Sequence, residues 1–298
     1  GLLKKYVNED VTKVPQVFIP YKEVLPIYKS GLEVPEDVTL MWCDDNYGYI
    51  RHLPTEKERI RKGGNGIYYH FSYLGRPQTQ LWLPSTCPSL AQTELERAYR
   101  HGIQKLWVFN AGDIKPNEFL IEYGLDMAWD RDILMNRNSG EYMAKWLERE
   151  FGEELGKDLV YVWKEYYDLT YQCRAEFLGH TRIEEQDPRY KVISDLPWSD
   201  KKVKSYLDKA VKMEEEMLQL REKVKKEDKA HWFEFVEYPC SSLAAMARKM
   251  LVSQLARHGK MAWDEAVEGQ KKIWSLTEEY HTLLDGKWNH MMGLWKWH

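Results

Sequence analysis

The sequence predicts an α/β fold, with a parallel sheet in the first 130 residues and only helices after it. Three short apolar runs, at residues 38–43, 66–73 and 105–110, are each followed by a polar loop. Such runs are typical of buried parallel strands. Residues 89–101 lie between the second and third runs and carry apolar side chains at helical spacing. Strand, loop, helix and strand in this order predict βαβ units.

The polar residues after the first run are the most informative part of the chain. Residues 38–43 end in two carboxylates, Asp44 and Asp45, and the loop continues through an amide and two tyrosines to Arg51. In barrels and open α/β sheets, the groups that perform chemistry lie just past the carboxyl ends of the strands. We therefore predict that this loop forms part of an active-site rim.

Three helices accompany the strands in this first region. We predict one over residues 15–29, one over 89–101 that ends at Gly102, and one over 119–129 with Glu118 in its first turn. A closed eight-stranded barrel needs roughly 200 residues or more. Three strands and three helices can therefore supply only a half-barrel or a partial sheet.

The second region shows helical periodicity and charged helix faces, with no strand pattern between them. Pro188, Pro197 and Pro239 are predicted to separate helices. Several helices without intervening strands favour an antiparallel bundle. We predict two domains, 1–130 and 131–298. The predicted helices of the second are 141–151, 157–177, 201–225, 243–258 and 261–284.

The composition excludes several classes of function. The net charge of −4 is too small to favour nucleic acid. No stretch approaches the roughly 20 apolar residues that span a membrane, and the mean hydropathy is −0.64. The four cysteines lack paired spacing, so we expect free, part-buried thiols. The glycines at 63–66 precede a strand, which argues against a phosphate-binding loop. Thirteen tryptophans and 19 tyrosines suit sugar stacking, although aromatic side chains also fill cores.

Carboxylates are the first candidates for catalysis. Successive residues at a strand end point to opposite sides, so we expect one of Asp44 and Asp45 to face a reaction centre, with loop capping or a salt bridge as the alternative. A glycosidase needs two carboxyl groups. Asp113 and Glu118 could supply the second, although Glu118 could also be a favourable charge at a helix N-terminus. Together with His70 these aspartates have weak metal-site spacing, and we predict no metal or other cofactor.

The remaining candidates are an imidazole, an amide and three cations. His70 lies inside the second run, as a ligand contact or as a satisfied core histidine. Asn110 ends the third run, where a buried amide needs a partner, either substrate hydroxyls or loop backbone. Arg51, Arg76 and Lys115 lie on the same predicted rim. They could bind a carboxylate of the substrate.

Several long motifs carry a family resemblance that covers nearly the whole chain. They are residues 40–54 (LMWCDDNYGYIRHLP), 63–70 (GGNGIYYH), 73–77 (YLGRP) and 106–116 (LWVFNAGDIKP), followed in the helical region by 146–152 and 287–292. With these motifs the chain resembles glycoside hydrolase family 115, the xylan α-1,2-glucuronidases.

The resemblance implies an inverting enzyme that removes glucuronic acid, or its 4-O-methyl ether, from xylose residues of glucuronoxylan. It also implies a (β/α)8 barrel followed by a helical domain, in enzymes much longer than this chain. We therefore expect an internal fragment, the C-terminal half of the barrel plus the bundle. Implied partners are glucuronoxylan or aldouronic acid oligosaccharides and, for the full-length enzyme, a second copy in a homodimer. The family also implies export from the cytoplasm.

The resemblance assigns roles to particular positions. One carboxylic acid would protonate the leaving oxygen while a carboxylate activates water, with about 6.5–9.5 Å between the two. The alternative to an enzyme is a non-catalytic remnant of one, which would bind carbohydrate or serve a structural role. The implied catalytic positions are Asp44 and Asn110, followed by Asp45, Asp113 and Glu118. The predicted substrate-binding residues are Tyr47, Tyr49, Arg51, Tyr69, His70, Arg76 and Lys115.

Overall fold

A parallel four-stranded sheet forms the first part of the computed structural model, which describes residues 1–75, 78–136, 138–179 and 195–293. The strands are hydrogen-bonded in the order β1-β2-β3-β4, so each is next to its neighbour in sequence. The strands are β1 (Val17–Phe18), β2 (Thr39–Cys43), β3 (Asn65–His70) and β4 (Ile103–Asn110).

The register of the sheet decides which side chains share a face. His70 pairs with Asn110 at the ends of β3 and β4, and Cys43 of β2 pairs with Tyr68. Because successive side chains on a strand point to opposite faces, Tyr68 and His70 share one face of β3. Tyr69 lies on the other face and is completely buried.

A helix or a helical turn follows each strand, as βαβ units require. These are α2 (Val24–Lys29), α3 (Glu56–Arg59), α4 (Pro88–Arg100) and α5 (Glu118–Trp129), while α1 (Leu2–Tyr6) precedes the sheet. The α3 turn begins with a capping box, in which Thr55 and Glu58 each satisfy the other's backbone amide. The predicted parallel α/β arrangement is confirmed.

The prediction of a single helix over 15–29 is wrong in its first half. Val17 and Phe18 form β1, which pairs with Thr39 and Leu40 of β2, and the helix begins only at Val24. Proline disfavours the helical conformation of the residue before it. Pro20 therefore keeps the preceding backbone extended and available to the sheet.

After β4 the described residues contain helices and turns but no further strand. Two helices approach very closely at Gly156, where a Cβ atom would lie 2.6 Å from the backbone of Glu148. The helices are α6 (Arg131–Asn136), α7 (Ser139–Phe151), α8 (Glu153–Gln172), α9 (Asp200–Arg221), α10 (Lys229–Trp232), α11 (Tyr238–Ala247), α12 (Ser253–Arg257) and α13 (Asp264–Gly286).

Pro239 does not separate helices as predicted. Helical turns continue from α10 through α12 by way of two π-helical turns, Phe233–Glu237 and Arg248–Val252. Pro239 is the second residue of α11, which directly follows the π turn Phe233–Glu237. The wider π turn before it lets the chain continue without a break. Pro188 lies outside the described residues.

The strand-bearing part and the helices share one continuous core. The rings of Phe119 and Trp146 are 5.5 Å apart, and the Trp146 indole donates to Glu122 at 2.9 Å. The Trp82 indole donates to the Tyr238 hydroxyl at 2.9 Å. Buried contacts therefore cross the predicted boundary near residue 130. Across the described residues no helix has both the length and the apolar character needed to cross a membrane.

Candidate active site

A cleft of 740 Å³ lies at the carboxyl ends of the four strands. Ile19 follows β1, while Cys43, His70 and Asn110 are the last residues of β2, β3 and β4. The carboxyl ends of parallel strands meet at one edge, so residues distant in sequence converge here. The lining residues are Ile19, Tyr21, Lys22, Cys43, Tyr68, His70, Tyr73, Leu74, Leu81, Asn110, Gly112 and Asp113.

His70 and Asp44 form a buried pair at the base of the cleft. His70 Nδ1 lies 2.5 Å from Asp44 Oδ1, and Asp44 Oδ2 accepts the Gly48 amide at 2.8 Å. The Asp44 side chain has no exposed surface, whereas the His70 ring lines the cleft. Burial raises the pKa of Asp44, although its bonds to His70 and Gly48 oppose this. Asp44 therefore contacts His70 and does not face the cleft itself.

The chemistry of His70 follows from this arrangement. A carboxylate that accepts from Nδ1 fixes the tautomer of an imidazole, which leaves Nε2 to accept or donate a proton. Three tyrosine rings surround the imidazole, with centroids 6.2 Å (Tyr21), 5.0 Å (Tyr68) and 5.5 Å (Tyr73) away. The ring is therefore held in one orientation by one carboxylate and three aromatic neighbours.

Lys22 supplies a cation to the cleft. Its ammonium donates to the Tyr73 hydroxyl and lies 5.2 Å and 5.0 Å from the ring centroids of Tyr21 and Tyr73. Its backbone φ is +48°, in the left-handed region that non-glycine residues rarely adopt. Positive φ values of this kind cluster at ligand-binding sites. Lys22 can therefore pair with an anionic group in the cleft.

Asn110 and Asp113 form the wall on the β4 side. Asn110 donates to the Tyr68 hydroxyl at 3.0 Å and accepts the Gly112 amide at 3.3 Å. The partners of the amide are thus a hydroxyl and the loop backbone, and the side chain still lines the cleft. Asp113 follows on the same loop and also lines the cleft. Cys43 completes the base, and burial raises the pKa of its thiol to about 12, so that it stays protonated at neutral pH.

Asp45 and Arg51 do not line the cleft, in contrast to the prediction for both. Asp45 accepts the backbone amides of Tyr47 and Tyr49 at 3.2 and 3.1 Å. Its other oxygen lies 2.9 Å from the Arg51 guanidinium, which is mostly exposed. These contacts of Asp45 are the ones that the alternative prediction, loop capping or a salt bridge, describes.

Three predicted substrate-binding tyrosines are also away from the cleft. Tyr69 is buried on the opposite face of β3, and its hydroxyl donates to the Gly48 carbonyl at 2.9 Å. The Tyr47 hydroxyl donates to the Gln78 carbonyl at 3.0 Å. Tyr49 forms a hydrogen bond with Tyr171, which together with burial raises its pKa to about 12. These tyrosines support the loops and the core.

A short segment after α8 supports the same loops from the helical side. Arg174 is buried and donates to the Tyr47 carbonyl at 3.0 Å. Glu176 accepts the Trp82 amide at 3.1 Å, and Phe177 packs edge-on against Tyr47 with 5.7 Å between ring centroids. The segment Ala175–Phe177, a 3-10 turn, and the arginine before it therefore hold the loops that follow β2 and β3.

Lys115 and Glu118 pair with each other and not with the cleft. Lys115 Nζ lies 2.5 Å from Glu118 Oε1 and 2.6 Å from Glu234 Oε2, and neither predicted residue lines the cleft. Arg76 lies outside the described residues. Of the four predicted carboxylates, all of which are described, Asp113 lines the cleft.

The sequence reasoning missed the tyrosines and the lysine of the cleft. The alternation of side chains along β3 could have predicted Tyr68. If His70 faces the site, Tyr68, two residues earlier on the same strand, faces it too. Tyr21 and Lys22 were hidden by the prediction of a helix over 15–29. Within the ranges that the structure describes, no group of three or more His, Cys, Asp or Glu side chains is arranged to hold a metal ion.

Comparison with known proteins shows similarity to a family model and to solved structures. A family model described as "Glycosyl hydrolase family 115" matches residues 1–177. Among solved structures, the chain is similar to one described as "A novel family GH115 4-O-Methyl-alpha-glucuronidase, BtGH115A, with specificity for decorated arabinogalactans". The two share 50% sequence identity with a TM-score of 0.94, over 98% of this chain and 38% of that one. The search of curated proteins found no match.

Proposed function

Because the chain belongs to glycosyl hydrolase family 115, we propose that it is part of an α-glucuronidase that releases glucuronic acid or its 4-O-methyl ether from a decorated glycan. The family supports glycoside hydrolase activity. The observation that carries the proposal is the arrangement of three residues from the motifs: His70 and Asn110 line one cleft, and Asp44 contacts His70 from behind it. The chain spans 38% of the matched structure, so the activity is proposed for the whole protein.

The proposed architecture is half of a (β/α)8 barrel followed by a helical bundle, with the division near residue 130. The half-barrel is supported by the exposure of apolar residues at an edge of the sheet. β1 and β4 are the outer strands. Leu106 on β4 is 40% exposed, and Trp107, Val108 and Phe109 are only partly buried. Apolar edge strands are normally paired or covered, and four further βα units between β4 and β1 would close the barrel.

We propose that Lys22 binds the carboxylate that distinguishes a uronic acid from a neutral sugar. Its ammonium is in the cleft, whereas Arg51 pairs with Asp45 and Lys115 pairs with two glutamates. The rings of Tyr21 and Tyr73 beside it would pack against the sugar. A cation held between two aromatic rings and a hydroxyl is well placed for a charge-assisted hydrogen bond.

The proposed mechanism is inverting hydrolysis with two carboxyl groups. One would protonate the leaving glycosidic oxygen, and the other would remove a proton from the water that attacks the anomeric carbon from the opposite side. Asp113 is our candidate for one of them, because it lines the cleft. His70 would hold or move a proton through Nε2, and Asp44 would act through His70 as a positioning residue. The second carboxyl group would come from the strands that complete the barrel.

The proposed linkage is α-1,2, on glucuronoxylan. The matched structure is described as specific for decorated arabinogalactans. The experiment below therefore compares both kinds of glycan as substrates. The lining described here would bind the uronic acid.

The test uses the protein expressed from its complete reading frame. It is incubated with aldouronic acids and, separately, with a glucuronic-acid-decorated arabinogalactan, and the released uronic acid is quantified. Release by the wild type and a loss of at least about 10²-fold in His70→Ala are expected for a general acid–base residue. Absence of release from both substrates, with the protein folded, contradicts the proposed function.

A second candidate function is a carbohydrate-binding remnant without turnover. The observation that favours it is that Asp113 alone, among the predicted carboxylates, lines the cleft, while a glycosidase needs two. Calorimetric binding of an aldouronic acid by a folded protein that releases no uronic acid would select this alternative.

A further inference from the structure

A buried ionic cluster connects the loop after β4 to the helical region. Lys115, on the loop, has its ammonium 2.5 Å from Glu118 and 2.6 Å from Glu234. Glu118 begins α5, whereas Glu234 lies in the π-helical turn Phe233–Glu237, more than a hundred residues away. The side chains are 13% (Lys115), 19% (Glu118) and 4% (Glu234) exposed. The cluster is therefore largely shielded from water. Ion pairs that are buried in this way are screened less by salt than exposed ones.

Glu234 is fixed by a second contact. Its Oε1 accepts the Trp288 indole at 2.5 Å, while its Oε2 faces Lys115. The Trp288 ring also lies 5.7 Å from the Lys115 ammonium. A carboxylate with both oxygens occupied has one orientation, so the helical region presents Lys115 with a fixed anchor.

The same loop is held from inside by an amide. Asn117 is buried and donates to the carbonyls of Ala111 and Asp113, both at 3.3 Å. The loop therefore has two supports, the Asn117 amide and the Lys115 ammonium. Asp113, which lines the cleft, lies between the end of β4 and Lys115 along the chain.

Burial and neighbouring charges act in opposite directions on the groups of this cluster. Burial raises the pKa of Glu118 despite the opposing effect of Lys115. Burial works against the charge of Lys115, yet Glu118 and Glu234 raise its pKa above the usual value. Burial raises the pKa of Tyr280, and so do the charges of Glu234, Glu118 and Asp113. Lys115 therefore keeps its positive charge beside Glu118 and Glu234.

We propose that Glu234 of the helical region is a positioning residue for the cleft, holding Lys115 and thereby fixing the loop that carries Asp113. Because it concerns the orientation of Asp113, the proposal rests on the proposed function. On this proposal the helical region contributes to turnover by positioning the loop, in addition to packing against the strand-bearing part. Small displacements of a catalytic group have large effects on rate, so loss of this anchor lowers turnover more than substrate binding.

The test compares Glu234→Gln with a matched control, Glu214→Gln. Glu214 is also a buried glutamate of the helical region paired with a cation at 2.5 Å, but that cation is Arg248 of the helical region itself. Hydrogen exchange of residues 111–117 and the kinetics of uronic acid release are measured for both. For Glu234→Gln we expect loop exchange at least about tenfold faster and kcat about tenfold lower with KM within about twofold. Glu214→Gln leaves both properties at the wild-type value.

Two further variants keep the test decisive if Glu234→Gln is unstable. Trp288→Phe removes the hydrogen bond that orients Glu234 but leaves every charge, and is expected to show the same change to a smaller degree. Lys115→Arg keeps the positive charge between Glu118 and Glu234 and is expected to retain most of kcat. Equal effects of Glu234→Gln and Glu214→Gln on loop exchange and kcat overturn the proposal. If the wild type releases no uronic acid the proposed function fails, while the exchange data still decide whether Glu234 holds the loop.

Discussion

The strand-bearing part and the helical part of the molecule use buried carboxylates in different ways. Asp44 lies 2.5 Å from His70, and Glu214 lies 2.5 Å from Arg248. An arginine stays charged at every accessible pH, so the second pair is a permanent structural contact. An imidazole can act as both a proton donor and a proton acceptor, and His70 lines the cleft. The difference teaches that the partner of a buried carboxylate, more than its burial, distinguishes a candidate site residue from a structural one.

The largest expected effect is from Asp44→Asn, which tests this contrast directly. An amide carries no charge and can donate to Nδ1 as well as accept from it, so the tautomer of the His70 ring is no longer fixed. We expect kcat for uronic acid release to fall by at least about 10²-fold, with the folded structure retained by circular dichroism. The matched control is Asp45→Asn, expected within about threefold of wild type because its ion pair with Arg51 is exposed. Equal losses in the two variants would remove the Asp44–His70 pair from the mechanism.

A smaller effect is expected from Lys22→Met. Loss of a charge-assisted hydrogen bond to the uronate should raise KM by about tenfold or more, measured by initial rates on aldouronic acids. The control Arg51→Met should stay within about twofold. A substrate with its uronate methyl-esterified should bind wild type and Lys22→Met equally. An unchanged KM in Lys22→Met would place the carboxylate elsewhere in the cleft.

The smallest expected effect concerns stability against pH. Burial raises the pKa of Glu237 in the helical region, so the folded state binds its proton more tightly. Its contribution to stability is complete below the unfolded pKa of about 4.3 and is lost as pH rises through the higher folded value. Urea unfolding from pH 4 to 7 should therefore show the free energy of unfolding of wild type, relative to Glu237→Gln, falling as pH rises.

The control for that measurement is Glu122→Gln in α5. The hydrogen bond from Arg149 lowers the pKa of Glu122, so its contribution is present above about pH 4.3 and is lost as pH falls. The two variants should change with opposite slopes. Slopes of the same sign would mean that the ion pair with Arg221 outweighs the effect of burial on Glu237.

The sequence alone predicted the parallel strands and the loops at their ends, because an apolar run followed by polar residues depends on local pattern. It could not determine which side chains turn toward the cleft. Tyr69 was predicted to bind substrate, but the parity of β3 directs Tyr68 to the cleft instead. Asp44 was predicted to be catalytic, but a contact 26 residues away places it behind His70. Which side chains face the cleft depends on contacts between segments that are distant in sequence, and a local pattern does not contain them.

The segment from Arg174 to Phe177 has a practical consequence for anyone who shortens this protein. A cut at the change of sequence texture near residue 130 would remove the guanidinium that caps the Tyr47 carbonyl and the carboxylate that receives the Trp82 amide. Two loops would then lose their buried partners, and such groups are costly to leave unpaired. A deletion series should therefore keep the chain through Leu178 before the helices beyond it are removed one by one.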